Sequence, residues 1–178
     1  MTCMERYRMT YSTDEQDMLN VLEKHIAAEM QGDMATTMST MNDDPHLLNV
    51  PNMIGGDGYE GVKKFYSNHL VGKFFPPDVK FETVSVTVGR TRVVQELVIS
   101  FTHTVEIEWM IPQIAPTNKK VEIAFVVVAG IENLKLTHEH IYWDQASVLV
   151  QLGLLDPLGL PVIGAESARK LLSYSSAD

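Results

Sequence analysis

His138-Glu139-His140-Ile141-Tyr142-Trp143-Asp144-Gln145 packs two imidazoles, two carboxylates, a phenol and an indole into eight residues. It stands where a strand pattern gives way to an amphipathic helix, Ser147, Val148, Leu149, Gln151 and Leu152, which Gly153 ends. A side chain at such a junction can be held rigidly and still face an open cavity. The stretch therefore points to a small-molecule pocket and to acid–base chemistry, without identifying a substrate. Alternation places Leu136, His138, His140 and Tyr142 on one face, and Thr137, Glu139, Ile141 and Trp143 on the other. Continued parity adds Asp144 to the first set.

Upstream, the period changes near Val79 from 3.6 to 2, and four strands are predicted: 80–88, 92–109, 120–131 and 135–143. Gly89-Arg90 and Glu132-Asn133 form hairpin turns, and the loop 111–118 carries two prolines. In the second strand Ile99, Phe101, His103, Val105, Ile107 and Trp109 form an apolar row, and Glu106 and Glu108 fall on the wet face. His103 is an imidazole in that row.

The preceding half is helical. Ser12 and Glu15 have capping-box spacing, and a helix follows with Met18, Leu19, Leu22, His25, Ile26, Glu29 and Met30 along its stripe, ended by Gly32. On that stripe His25 reads as a packed residue. Asp33 caps a short helix with Met34, Met38 and Met41, whose methionines serve as core or as an adaptable ligand wall. Asn42-Asp43-Asp44-Pro45 reads as a turn, His46 to Pro51 as extended, and Gly55-Gly56-Asp57-Gly58 as a flexible loop. A third helix spans about 59–70, with Val62, Phe65, Tyr66 and His69 on one side. Helices followed by an antiparallel meander define an α+β domain. Residues 1–11 form a flexible leader and 12–156 the domain. The extension 157–178, with the apolar run before it, is expected to cover the pocket or a dimer partner.

The chain has 178 residues and a formal charge of −9. That charge repels nucleic acid and anionic bilayers, so neither is expected as a partner. Apolar runs fall short of the ~18 residues of a spanning helix. Cys3 stands alone, which excludes an intramolecular disulfide and suits a reducing, cytoplasmic compartment. The N-terminus has no apolar run of signal-peptide type.

The order of these features resembles the SnoaL-like branch of the NTF2-like superfamily. The residues that carry the likeness are Phe101-Thr102-His103, the loop Ala115-Pro116-Thr117, His140-Ile141-Tyr142-Trp143-Asp144, and the closing 148–155 segment. The resemblance spans about residues 14–156. It implies a cone: a curved, mostly antiparallel sheet wrapped around N-terminal helices, with an apolar pocket at one end. It also implies a homodimer, and cofactor-free cyclase, isomerase or hydro-lyase chemistry on polyketide- or terpenoid-like carbonyl compounds. A non-catalytic binding or dimerisation module of the same fold is the alternative. In such proteins the aspartate ending the last strand is a recurrent acid–base position, here Asp144.

Asp144, His140 and His103 are therefore the expected catalytic set. His46, Tyr142, Trp109, Phe101, Met38 and Tyr66 are the expected substrate contacts. A carboxylate at the rim of an apolar cavity is desolvated, which raises its pKa toward working pH. Asp144 also stands where an N-cap would. His138 and His140 have a spacing zinc sites use, and His103 or Asp144 could add a third ligand. No fourth ligand is evident, and neither metal nor other cofactor is expected.

Overall fold

The computed structural model describes residues 11–69 and 74–175. Of the expected leader 1–11, residues 1–10 lie outside the described residues, as does Leu70 of the expected third helix. Helix α1 (Thr13–Gln31) begins at the capping box, where Ser12 and Glu15 each bond the other's backbone, and ends at Gly32 in the left-handed region with φ 69°. Helix α2 (Met34–Thr40) is capped by Asp33, whose carboxylate accepts from the Thr36 N–H. Strands β1 (Met41–Asn49) and β2 (Ile54–Asp57) follow, then helix α3 (Gly58–His69). Strands β3 (Lys80–Val88), β4 (Arg92–Thr102), β5 (Lys120–Glu132) and β6 (Lys135–Trp143) complete the sheet. Helices α4 (Gln145–Leu152) and α5 (Glu166–Ser175) close the chain.

The six strands run in the order β2-β1-β6-β5-β4-β3. All neighbours are antiparallel except β1 and β6, which are parallel. The α+β, NTF2-like architecture expected from the sequence is present, with two strands more than the meander. Both added strands contain turn-forming residues. Pro45, which has no N–H to donate, lies in the irregular stretch of β1 between its Met41 and His46 pairings. Gly55 and Gly56 form strand because the backbone passes too close for a side chain. A Cβ on Gly55 would lie 1.9 Å from the Leu47 carbonyl oxygen, and one on Gly56 would lie 2.3 Å from that of Gly61.

Strand β4 ends at Thr102, seven residues short of the sequence expectation. His103 marks the break. Its N–H donates to the Lys119 carbonyl and its own carbonyl accepts from the Asn118 N–H, each at 2.9 Å, so the ladder closes into a loop. Ile107, Trp109, Met110 and Ile111 lie inside that loop and are buried without being strand.

The inner face of the sheet packs on α1 and α3. On the outer face, α5 lies against β3 and β5, and Ala168 packs with Val84 and Val98. The helical part of the C-terminal extension thus covers sheet rather than the cavity.

Candidate acid–base site in an apolar cavity

Between the helices and the inner face lies a cavity of about 300 Å³. Phe65, Phe74, Phe75, Phe81, Trp109 and Phe125 form most of its wall, with Leu47, Leu97, Val127 and Ile141. Trp109 is fixed at several points. Its indole N–H donates to the Phe74 carbonyl at 2.7 Å, its ring stacks on Phe74 at 5.2 Å, and Asn52 donates to its carbonyl at 2.8 Å. Met30 and Phe81 line the cavity and are also solvent-exposed, which puts its mouth between α1 and β3.

Glu29 from α1 and Glu139 from β6 are the ionisable groups in this wall among the described residues. Behind them stand His25, one turn before Glu29, and Tyr66 of α3, both fully buried. His25 Nε2 is 3.1 Å from Glu29 Oε1, 3.3 Å from Glu139 Oε2 and 3.0 Å from the Tyr66 hydroxyl.

The hydrogen bonds assign the protons. The Thr40 hydroxyl donates to the Thr37 carbonyl at 2.6 Å, so it accepts at its 2.6 Å contact with His25 Nδ1. The Tyr66 hydroxyl donates to Glu139 at 3.0 Å, so its oxygen accepts from His25 Nε2. Both ring nitrogens therefore donate, and His25 is an imidazolium. Burial by itself pulls its pKa down. The Glu139 and then the Glu29 carboxylates outweigh burial and hold it well above 6.5.

The two carboxyl groups diverge. Burial pushes Glu29 up, and the Glu139 charge adds to that against the pull of His25. Burial acts in the same sense on Glu139, but there the His25 charge and the bonds from His25 and Tyr66 prevail and hold it below its ordinary value. Burial, then the Glu139 and Glu29 charges, drive Tyr66 far above 10. The cluster thus holds an ion pair, His25 with Glu139, beside a second carboxyl, Glu29, whose affinity for a proton burial raises. The Glu29 side chain is 10% exposed, against 4% for Glu139, so Glu29 is the more accessible of the two. It can protonate a ligand oxygen and take a proton back, with the imidazolium stabilising its carboxylate meanwhile. The ligand atoms of His25, Glu29 and Glu139 lie within 4.8 Å of one another, so a metal ion displacing these protons would find three ligands.

The structure corrects the expected site at several positions. Asp144 is exposed, and its carboxylate caps α4 by accepting from the Ser147 N–H at 3.1 Å. His140, Tyr142 and His46 stand on the outer face of the sheet; Tyr142 is 42% exposed and His46 Nε2 lies 2.9 Å from His140 Nε2. His103 is buried away from the cavity and accepts at Nδ1 from the Thr117 N–H at 3.2 Å, which fastens the 103–119 loop. Phe101 and Met38 are buried in the core without lining the cavity. Of the nine expected residues the structure brings Trp109 to the cavity wall and Tyr66 to the cluster behind it.

The faces of β6 are reversed because of a bulge. Gly130 pairs with His138, but Ile131 pairs with Leu136, which leaves Thr137 as an extra residue. The alternation resets there, so Leu136 and Glu139 both point inward and the histidines outward. Sequence reasoning missed His25, Glu29 and Glu139. The available signal was a histidine and a glutamate four apart on an otherwise apolar stripe, a spacing that brings them together on one helix face.

A curved sheet closed by helices around an apolar cavity is an α+β fold of the NTF2-like kind. No family model and no curated protein matches the chain in sequence. Solved structures match its fold. A protein from Jannaschia sp. CCS1 described as a SnoaL-like polyketide cyclase superposes with TM-score 0.66 at 13% identity, over 83% of this chain and 99% of its own. AclR of Streptomyces galilaeus, described as a hydroxylase, gives TM-score 0.60 at 18% identity, over 92% and 99%. SalBIII, an epoxide hydrolase/cyclase-like enzyme of pyran ring formation in salinomycin, gives 0.55 at 14%, over 75% and 95%. The fold is that of SnoaL-like, NTF2-like proteins, a fold with enzymes among its members.

Proposed function

We propose that this protein is an acid–base enzyme of cyclase, isomerase or hydro-lyase type, acting on an uncharged, apolar carbonyl compound of polyketide or terpenoid character. The observation that carries the reading is Glu29: a carboxyl at the wall of an aromatic cavity, its pKa raised by burial, and backed by the His25–Glu139 pair. Protonated Glu29 gives its proton to the substrate carbonyl oxygen, and the resulting Glu29 carboxylate, held beside the imidazolium, takes a proton from the α-carbon, so that the C–H electron pair becomes the C=C bond of the enol and Glu29 is protonated again. Ring closure, isomerisation and loss of water all begin from that enol. No lysine or arginine lines the cavity among the described residues, which favours neutral substrates over anionic ones. We place the protein in the cytoplasm, as a homodimer, on the strength of its single cysteine and of an outer sheet face that the described residues leave open over β1 and β6.

Exchange of α-hydrogens in D2O, followed by mass spectrometry over a panel of apolar 1,3-diketones, reads enolisation without knowledge of the natural substrate. The protein should accelerate exchange of at least one member. Glu29→Gln should lower that rate by roughly 10²–10⁴-fold, the usual contribution of a positioned acid–base group. Binding of panel members, seen in tryptophan fluorescence, with no exchange in any of them would favour a non-catalytic binding module instead.

A further inference from the structure

Three histidines gather on the outer face of the sheet, separated from the cavity by the backbone of β6. His46 of β1 pairs in register with His138 of β6, and Leu48 with His140, so the parallel ladder sets one imidazole beside two. The His46 and His138 rings stack at 4.9 Å with 9° between planes, and the His140 ring lies 5.1 Å from the first and 4.6 Å from the second. His46 Nε2 and His140 Nε2 are 2.9 Å apart. Such a contact admits at most one proton between two nitrogens, so at least one lone pair points into it. His138 Nδ1 is engaged by the Thr137 hydroxyl at 3.0 Å, and its Nε2 is buried without a hydrogen-bond partner.

We propose that His46 and His140, with His138 stacked against both, bind a borderline transition-metal ion such as Zn²⁺, Ni²⁺ or Cu²⁺. Two imidazoles on one Zn²⁺, at about 2.0–2.1 Å each, place their nitrogens roughly 2.9–3.4 Å apart at octahedral to tetrahedral angles. The observed separation of 2.9 Å lies at the octahedral end of that range. All three side chains are partly exposed, which leaves remaining coordination positions to water or to a further ligand. Imidazole is a ligand for these ions and a poor one for Mg²⁺ or Ca²⁺.

The Arg92 charge near His138 and His140 repels a cation and limits affinity.

Titration of the full chain with ZnCl2 in a calorimeter tests the site. One equivalent per chain is expected, or half an equivalent if two copies share the ion, with affinity in the micromolar range and no heat from MgCl2. His46→Asn and His140→Asn should each weaken binding by at least the roughly 10–100-fold that loss of an outer-shell contact costs a metal site. His25→Gln should leave binding unchanged, because it removes the buried cluster and not this one. Absence of Zn²⁺ binding would overturn the proposal. So would binding that survives both outer-face substitutions, or that disappears with His25.

Discussion

His25 is held from two directions, and this settles which proton the cavity can use. Thr40 takes the Nδ1 proton, so the ring cannot change tautomer to escape the acids at Nε2. A neutral ring would then turn its lone pair toward two carboxyl groups; a protonated ring turns a donor toward them. The stability of the pair follows from the directions of the shifts. The raised pKa of His25 contributes stability that is fully present below 6.5 and is lost as pH rises through the higher folded value. The depressed pKa of Glu139 contributes stability that is present above 4.5 and is lost as pH falls through the lower folded value. Both contributions are complete only between these limits. Glu139→Gln strands the imidazolium and should cost about 3–5 kcal/mol, the usual loss on breaking a buried pair. Urea unfolding from pH 3 to 10 should show the gap between wild type and Glu139→Gln widest between 4.5 and 6.5 and narrowing on either side. A gap independent of pH would mean that His25 is not charged in the native state.

At the scale of elements, the sequence disclosed periodicity well and position within the sheet less well. Helix α1, its capping box and its terminal Gly32 were legible, as were α4 and the hairpins, because local hydrogen bonding and backbone sterics set them. The inward face of β6 was not legible. Period-2 alternation specifies two faces but not which is inside, and the bulge at Thr137 changed the phase between Leu136 and the histidines. The density of polar groups on His138, His140 and Tyr142 marked the outer face, while the chemistry of the cavity lay on Glu139 and on a helix residue that read as core. Trp109 was legible as a buried residue although its segment is loop rather than strand, because burial of an indole does not require a ladder. Helix α5 is an element whose contribution can be isolated. It places Ala168, Leu171 and Leu172 near Val84 and Val98 on the outer face, remote from the cavity. Ending the chain at residue 164 should cost about 2–3 kcal/mol, the burial of one to two aliphatic side chains. Ligand binding in the cavity should be unchanged at temperatures where the shortened chain is folded. Loss of ligand affinity in a folded truncation would show that the extension reaches the cavity.

The whole molecule is a sheet with two unlike faces. The inner face is closed by α1 and α3 and holds the cavity. Among the described residues the outer face is covered by α5 toward β3, β4 and β5, and is open over β1, β6 and part of β5. Leu48, Val126 and Val128 are half-buried there, and Tyr142, which pairs with Val126, is 42% exposed. A two-fold axis through this open region would bring one patch against its own copy, the commonest geometry of soluble oligomers. It would remove apolar side chains from water without touching the cavity. The protein is therefore expected to sediment at twice its 19.9 kDa chain mass at tens of micromolar. Val126→Glu and Val128→Glu, which place two like charges across the axis where side chains must desolvate, should return it to the monomer mass while far-ultraviolet circular dichroism stays the same. Exchange activity at Glu29 should persist in that monomer, because the reacting groups and the wall that holds the ligand come from one chain. A wild-type protein that sediments as a monomer, or a dimer insensitive to both substitutions, would place the partner surface elsewhere.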